Sequence, residues 1–171
     1  MEWKTHIAGG AVAGAVTLTA TTLQTMNVPA SEWYLHPLVL GFSILGGLVP
    51  DIDLRTSKAG QVTGAVSAVI QTLWGHRTLF HAPELYLALY YYGISYLGSF
   101  GILLFAFMAG AISHIFLDML NTKGIPLFYP LPGHYHIASI KSGGKAEKII
   151  TYILCGLFAL LMIRFLILRF R

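Results

Sequence analysis

The chain has 171 residues, of which 56% are hydrophobic and only 11% charged, against roughly 25% charged in soluble domains. That composition excludes an ordinary water-soluble globule and a disordered chain, and the length suits a single integral-membrane domain, residues 1–171. The formal charge of +4 comes from Lys and Arg scattered over loops and the C-terminus, which suits lipid headgroups and topology; no nucleic-acid partner is expected.

In chain order, residues 7–23 form the first apolar segment. It is dense in Gly and Ala, and Gly9, Gly10 and Gly14 offer the small surfaces that let membrane helices approach closely. A polar stretch at 24–32 leads to a second segment at 33–49. Pro50 is expected to end it, because proline disfavours helix in the residue before it. Asp51-Ile52-Asp53 then opens an extended polar loop. Residues 61–74 are weakly apolar, broken by Gly64, and read as an interfacial or re-entrant helix. A third crossing at 83–97 is rich in tyrosine (Tyr86, Tyr90, Tyr91, Tyr92, Tyr96), which favours membrane interfaces. Gly98-Ser99 turns the chain into a fourth crossing at 100–120. After a loop holding Pro126, Pro130 and Pro132 comes a fifth segment at 149–168, where Arg164 cuts the apolar run to about fifteen residues, below a comfortable span. The expected fold class is all-α: a polytopic membrane helical bundle of about five apolar segments plus the interfacial or re-entrant helix. Cys155 is the only cysteine, so neither an internal disulfide nor a cysteine-built zinc site is possible.

Alternating these crossings puts His6, Asp51, Asp53, His76, His81, His114, Asp118 and Glu147 on one side of the membrane. Ionisable groups at membrane depth are costly and mark function. His114-x-x-x-Asp118 sets an imidazole and a carboxylate on one helix face, and a carboxylate among apolar residues needs a cation or donors. Asp51-x-Asp53 is able to bind or bridge a cation, or to accept a proton. His76 and His81 add imidazoles around a turn before Pro83. Arg77 is suited to gripping a phosphate through paired N–H donors, although a headgroup contact would explain it equally well. His36, near the opposite side, reads as interfacial, and His134 and His136 as ordinary loop histidines. No serine-hydrolase elbow, P-loop or Rossmann fingerprint is present.

Thr5-His6 with Gly9-Gly10, Val49-Pro50-Asp51-Ile52-Asp53, Gly75-His76-Arg77 through His81, and Ser113-His114-x-x-x-Asp118-Met119-Leu120 through Gly124-x-Pro126-Leu127 follow one another in an order that resembles the YdjM family. Gly143-Gly144-x-x-Glu147 before the last helix extends the likeness over nearly the whole chain. The resemblance implies a bacterial inner (cytoplasmic) membrane protein, linked by name to LexA regulation and described as a metal-dependent hydrolase. Two places depart from the family's pattern: Leu54 stands where His is common, and Thr78-Leu79-Phe80-His81-Ala82 lacks the usual Thr and Ser hydroxyls around its histidine.

The expected activity is metal-dependent hydrolysis of a phosphoester in a lipid-borne substrate, with membrane lipid the partner. One or two divalent ions, zinc first and manganese second, would be held by His6, Asp51, Asp53, His76, His81, His114 and Asp118. Asp53 or Glu147 is the expected general base and Arg77 the oxyanion contact; Lys141 and Lys145 stand near the same side. The rivals are a non-catalytic membrane protein with a structural zinc, and a metal or proton transporter, which would place its ionisable groups nearer mid-membrane. Lys4, Arg55, Lys58, Arg77, Lys123, Lys141, Lys145 and Lys148 all fall on the site's side. That side is therefore expected to be cytoplasmic, with the C-terminus outside. Oligomeric state is left open by the sequence.

Overall fold

Helix α1 (Trp3–Thr22) begins ahead of the expected apolar run, so Thr5 and His6 belong to it. The structure, a computed structural model, describes residues 1–22 and 34–170. Leu23 at the end of the first segment, the polar stretch at 24–32, Trp33 at the start of the second segment and the C-terminal Arg171 lie outside the described residues. Helix α1 packs against three neighbours, α2 (Leu35–Leu48), α6 (Gly101–Met119) and α7 (Lys145–Arg169). Its glycines act as expected: Gly9 lies against Ser113 and Leu117 of α6, and Gly10 and Gly14 against α2. Between these helices Ser43 Oγ donates to the Gly10 carbonyl at 2.7 Å.

The tightest contact joins α2 to α6. A Cβ built on Gly46 would stand 1.9 Å from the Phe107 carbonyl oxygen, and one on Gly110 would stand 1.9 Å from that of Ser43. The two backbones therefore touch with no side chain between them, a packing that small residues permit in membranes.

Among the described residues, three stretches are long and apolar enough to span a bilayer: Leu35–Asp53, Gly101–Met119 and Lys145–Arg169. The expected count of about five is thus too high. Helix α5 (Pro83–Leu97) keeps the expected bounds but is too short, since 15 residues rise only about 22 Å against a ~30 Å hydrocarbon core. Helix α1 is long enough, yet Thr5, Thr17, Thr19, Thr21 and Thr22 dilute its hydropathy. Three of those hydroxyls bond back to carbonyls of their own helix: Thr17 to Ala13, Thr19 to Ala15 and Thr21 to Leu18. Shielded by three helices, α1 does not need a lipid-grade surface. Arg164 does not shorten the last helix, because α7 runs unbroken for 25 residues, about 37 Å.

Two further expectations give way. Asp51 and Asp53 lie not on an extended loop but in a 3-10 turn, Val49–Asp53, that continues α2. Pro50 sits in its first turn, where no backbone N–H is required, so proline is tolerated there. With three residues per turn, positions i and i+2 point about 120° apart, which sends the two carboxylates to different neighbours. Tyr86 is core rather than interface: it is 2% exposed, packs with Ala111, Ile115 and Ile125, and donates its hydroxyl to the Phe80 carbonyl at 2.7 Å. Tyr91, Tyr92 and Tyr96 of α5 remain exposed as expected.

The segment read as interfacial or re-entrant is two short helices, α3 (Lys58–Thr63) and α4 (Ala65–Trp74), hinged at Gly64 with φ +51°. Both pack on the Val49–Asp53 turn.

Candidate metal centre

The site forms where four segments converge: the first turns of α1, the Val49–Asp53 turn, the 76–81 segment ahead of α5, and the last turns of α6. Three overlapping groups bring ligand atoms within 4.8 Å of one another: His6, His114 and Asp118; Asp51, His81 and His114; and Asp53, His76 and His81. All seven residues expected to bind metal are among them.

Hydrogen bonding decides which imidazole nitrogens are available. Gly47 lies in the last turn of α2, where helix carbonyls lose their intrahelical partners. The close approach of α2 to α6 brings that carbonyl 2.7 Å from His114 Nδ1. A carbonyl only accepts, so His114 Nδ1 carries the hydrogen, and in the neutral ring Nε2 keeps a lone pair. His81 Nδ1 lies 3.0 Å from Asp53 Oδ2, and His76 Nδ1 lies 2.7 Å from Asp53 Oδ1. The ionised carboxylate fixes the same tautomer in both rings. This is how imidazoles are oriented around metals.

The freed nitrogens point at one another. His81 Nε2 and His114 Nε2 are each 3.8 Å from Asp51 Oδ1, and lie 3.7 and 3.9 Å from Asp118 Oδ2. Both are buried without a hydrogen-bond partner among the described residues, as are both ring nitrogens of His6. The His6 ring stacks on His114 at 3.6 Å between centroids, with its Nε2 3.4 Å from Asp118 Oδ1. Two donors each ~2.1 Å from one ion stand at most about 4.2 Å apart, so these separations fit a shared cation. The donor set, imidazole and carboxylate without thiolate, suits zinc and manganese alike.

Arg77 closes the site from the cleft side. Its Nη2 contacts Asp118 Oδ2 at 2.6 Å, its Nη1 donates to the Gly124 carbonyl at 2.7 Å, and its backbone N–H donates to Asp53 Oδ2 at 3.0 Å. These anchors hold it at φ 60°, a left-handed conformation costing about 1 kcal/mol or more for a non-glycine residue. Its Nε is buried and unpartnered among the described residues. Beside it opens a cleft of about 270 Å³, lined by Asp51, Lys58, His76, Arg77, Asn121 and Lys123 among others.

Glu147 belongs to none of the three groups. Its Oε1 accepts from the Glu2 backbone N–H at 2.5 Å and from the Thr5 hydroxyl at 2.8 Å, and its Oε2 accepts from the Gly143 N–H at 2.6 Å. It clasps the start of α7 to the start of α1. Glu147→Ala would remove three hydrogen bonds worth roughly 1 kcal/mol each, with the Thr5 hydroxyl keeping Thr151 Oγ1 at 2.9 Å as a partner. The thermal midpoint of the detergent-solubilised protein should therefore fall by several degrees with metal content retained; an unshifted midpoint would refute the clasp. His134 and His136 are exposed, and His36 meets Phe165 edge-on at 5.3 Å; all three lie outside the groups.

Three participants carried no readable signal in the sequence. The Gly47 and Gly124 carbonyls are backbone atoms, and the Met1 amine, which contacts Asp118 Oδ1, is present in any chain starting there. Only the fold brings them in.

No solved structure matches the chain. The chain is 27% identical to the uncharacterized protein YvsG of Bacillus subtilis (strain 168) over 152 residues, 88% of this chain and 87% of that one. It is 31% identical to the inner membrane protein YdjM of Escherichia coli (strain K12) over 125 residues, 69% of this chain and 61% of that one. The alignment therefore spans under two thirds of the Escherichia coli protein's length. The family model described as YdjM inner membrane protein matches residues 1–169. With three stretches fit to cross a bilayer and a match along almost its full length, the chain belongs to the YdjM family of inner membrane proteins.

Proposed function

We propose that the protein is a membrane-bound, metal-dependent hydrolase acting on the phosphoester of a lipid-borne substrate. One observation carries this reading: the buried, unpartnered Nε2 atoms of His81 and His114 face the carboxylates of Asp51 and Asp118. Zinc is the first candidate for that position and manganese the second. A divalent ion bound there supplies Lewis-acid activation of water and of the substrate's oxygen.

The remaining groups divide the other tasks. Asp53 has both oxygens engaged by His76, His81 and the Arg77 N–H, so it orients imidazoles. Glu147 is likewise saturated by its donors. His76, 25% exposed and held through Nδ1 by Asp53, offers Nε2 to the cleft and is placed to accept or return a proton. Arg77, which lines the cleft, is the candidate oxyanion contact, and Lys58 and Lys123 on the same wall favour an anionic group such as phosphate.

The test is metal analysis of purified protein, followed by a hydrolysis screen over phospholipids and polyprenyl phosphates with and without chelator. Metal-dependent phosphate or headgroup release is expected. Bound metal with no release from any substrate would leave the structural-zinc reading, which the pairing of Asp118 with Arg77 and the Met1 amine also suits. The positions of the groups at helix ends weigh against a transporter.

Sidedness is separately testable. Lys58→Cys and Lys141→Cys, each in a Cys155→Ala background, should resist a membrane-impermeant thiol reagent in intact cells and react after permeabilisation. Labelling in intact cells would put the site outside.

A further inference from the structure

Helix α4 is amphipathic the wrong way round for a protein in water. Of its polar residues, Ser67 and Gln71, four apart and hence on one face, face the body of the protein: Ser67 is fully buried and Gln71 Oε1 accepts from the Arg55 backbone N–H at 3.1 Å, while the exposed Thr72 turns its hydroxyl back to the Ala68 carbonyl at 2.8 Å. Its apolar residues Val66, Val69 and Leu73 form a stripe at helical spacing on the opposite face and are 56–64% exposed. Trp74 at the end of α4 and Val62 on α3 are exposed as well. A contiguous apolar face with its polar side inward must be covered by something apolar. Ten residues rise only about 15 Å, half of what a span requires.

The arm is also firmly mounted. Ser57 caps α3 by accepting from the Gly60 N–H at 2.8 Å and donates to the Asp51 carbonyl at 2.6 Å. Gly60 presses so closely on the preceding loop that an added Cβ would stand 2.0 Å from the Leu54 carbonyl oxygen. Two exposed cations, Arg55 and Lys58, stand at its root, where anionic headgroups would meet them.

We propose that α3 and α4 form an in-plane membrane arm, whose apolar stripe is covered by the acyl chains of the leaflet that carries the metal centre. An apolar stripe opposite a polar face, with basic residues at its base, is the mark of a helix lying in the interface, and ten residues are too few to span. Because the arm is bonded to the turn that carries Asp51 and Asp53, its depth sets the depth of the site. Thr56, Ser57 and Lys58, which line the cleft, then lie among the headgroups. This inference stands whether or not the protein hydrolyses anything.

The test is spin labelling of the full chain in phosphatidylethanolamine–phosphatidylglycerol vesicles. Val66→Cys, Val69→Cys and Leu73→Cys are made singly in a Cys155→Ala background, with Gln71→Cys as the inward-facing control. The three stripe labels should collide more with oxygen than with a water-soluble nickel chelate, at one common depth about 5–10 Å below the headgroups. Val66 and Leu73 are about 10 Å apart along the axis, so a depth difference of that size would mean an upright, re-entrant helix and overturn the proposal. Stripe labels reached best by the nickel chelate would mean water covers the face; labels shielded from both reagents would mean protein does. Either result also overturns it. A chain with cysteines this exposed folds without strain; if Leu73→Cys alone fails, Val66 and Val69 still decide between lipid, water and protein.

Discussion

His114→Ala should strip the protein of its metal: an occupancy of about one equivalent in the wild type falls at least tenfold. The ring contributes the shared donor of two of the three ligand groups, and its Nδ1 is the group that satisfies the Gly47 carbonyl. Losing it removes a ligand, leaves a buried carbonyl unpaired at about 1–3 kcal/mol, and leaves Asp51 and Asp118 facing each other with less positive charge between them. Stability should fall further through lost binding, because a ligand at a thousand times its dissociation constant adds about 4 kcal/mol. Elemental analysis and thermal unfolding with and without chelator read both effects. His134→Ala, on the exposed loop, is the control and should keep full occupancy. If His114→Ala and Asp51→Ala both retained metal at the wild-type level, the centre described above would not be the binding site.

Gly46→Val should cost more than any substitution that leaves the backbone contact intact. The first added carbon lands 1.9 Å from the Phe107 carbonyl oxygen, which is backbone and has no rotamer to escape into. Overpacking against flexible side chains costs about 1–3 kcal/mol; here α2 and α6 must move apart instead. That separation pulls the Gly47 carbonyl from His114 and shifts the Val49–Asp53 turn, so fold and metal occupancy should fail together. The expected readout is a loss of monodisperse protein in detergent extracts and, in whatever remains, little bound metal. Normal yield with normal occupancy would show that the helix contact is looser than described. A gentler Gly46→Ala should fall between these outcomes.

The chemistry of the site was more legible than its architecture. The seven metal-capable residues stand out because ionisable groups are scarce in this chain and costly in a membrane; the structure brings all of them into the groups at one end of the bundle. Their division of labour was not legible. Asp53 and Asp51 look alike as a loop pair, and only the 3-10 turn sends Asp53 under two imidazole Nδ1 atoms and Asp51 toward two Nε2 atoms. Glu147 sits in sequence where a base would, but a carboxylate's partners depend on which backbone N–H groups the fold aims at it. The number of spans was overestimated because apolar character does not report helix length: α1 is sheathed by three helices and carries many threonines, and α5, largely exposed, ends after 15 residues at Gly98 with φ +50°. Tyr86 was hidden among tyrosines that do face outward. Gly9, Gly10 and Gly14 were readable as contact points; Gly46 and Gly110 were not singled out, although they make the closest contact of all.

Helix α7 is attached differently from the rest. It leans on α1, most of its length faces outward, and its two buried residues lie near opposite ends, Glu147 in the clasp and Phe165 against the core at the far side. Under a mechanical load applied at the C-terminus, such a helix should unzip from its Phe165 end. It should pause at Glu147, where three donors converge on one carboxylate, before α1, α2 and α6 yield. A force–extension trace would then show one weak, early event followed by a single larger rupture. The candidate metal centre, whose three groups include no residue of α7, would survive the first and be lost only in the second.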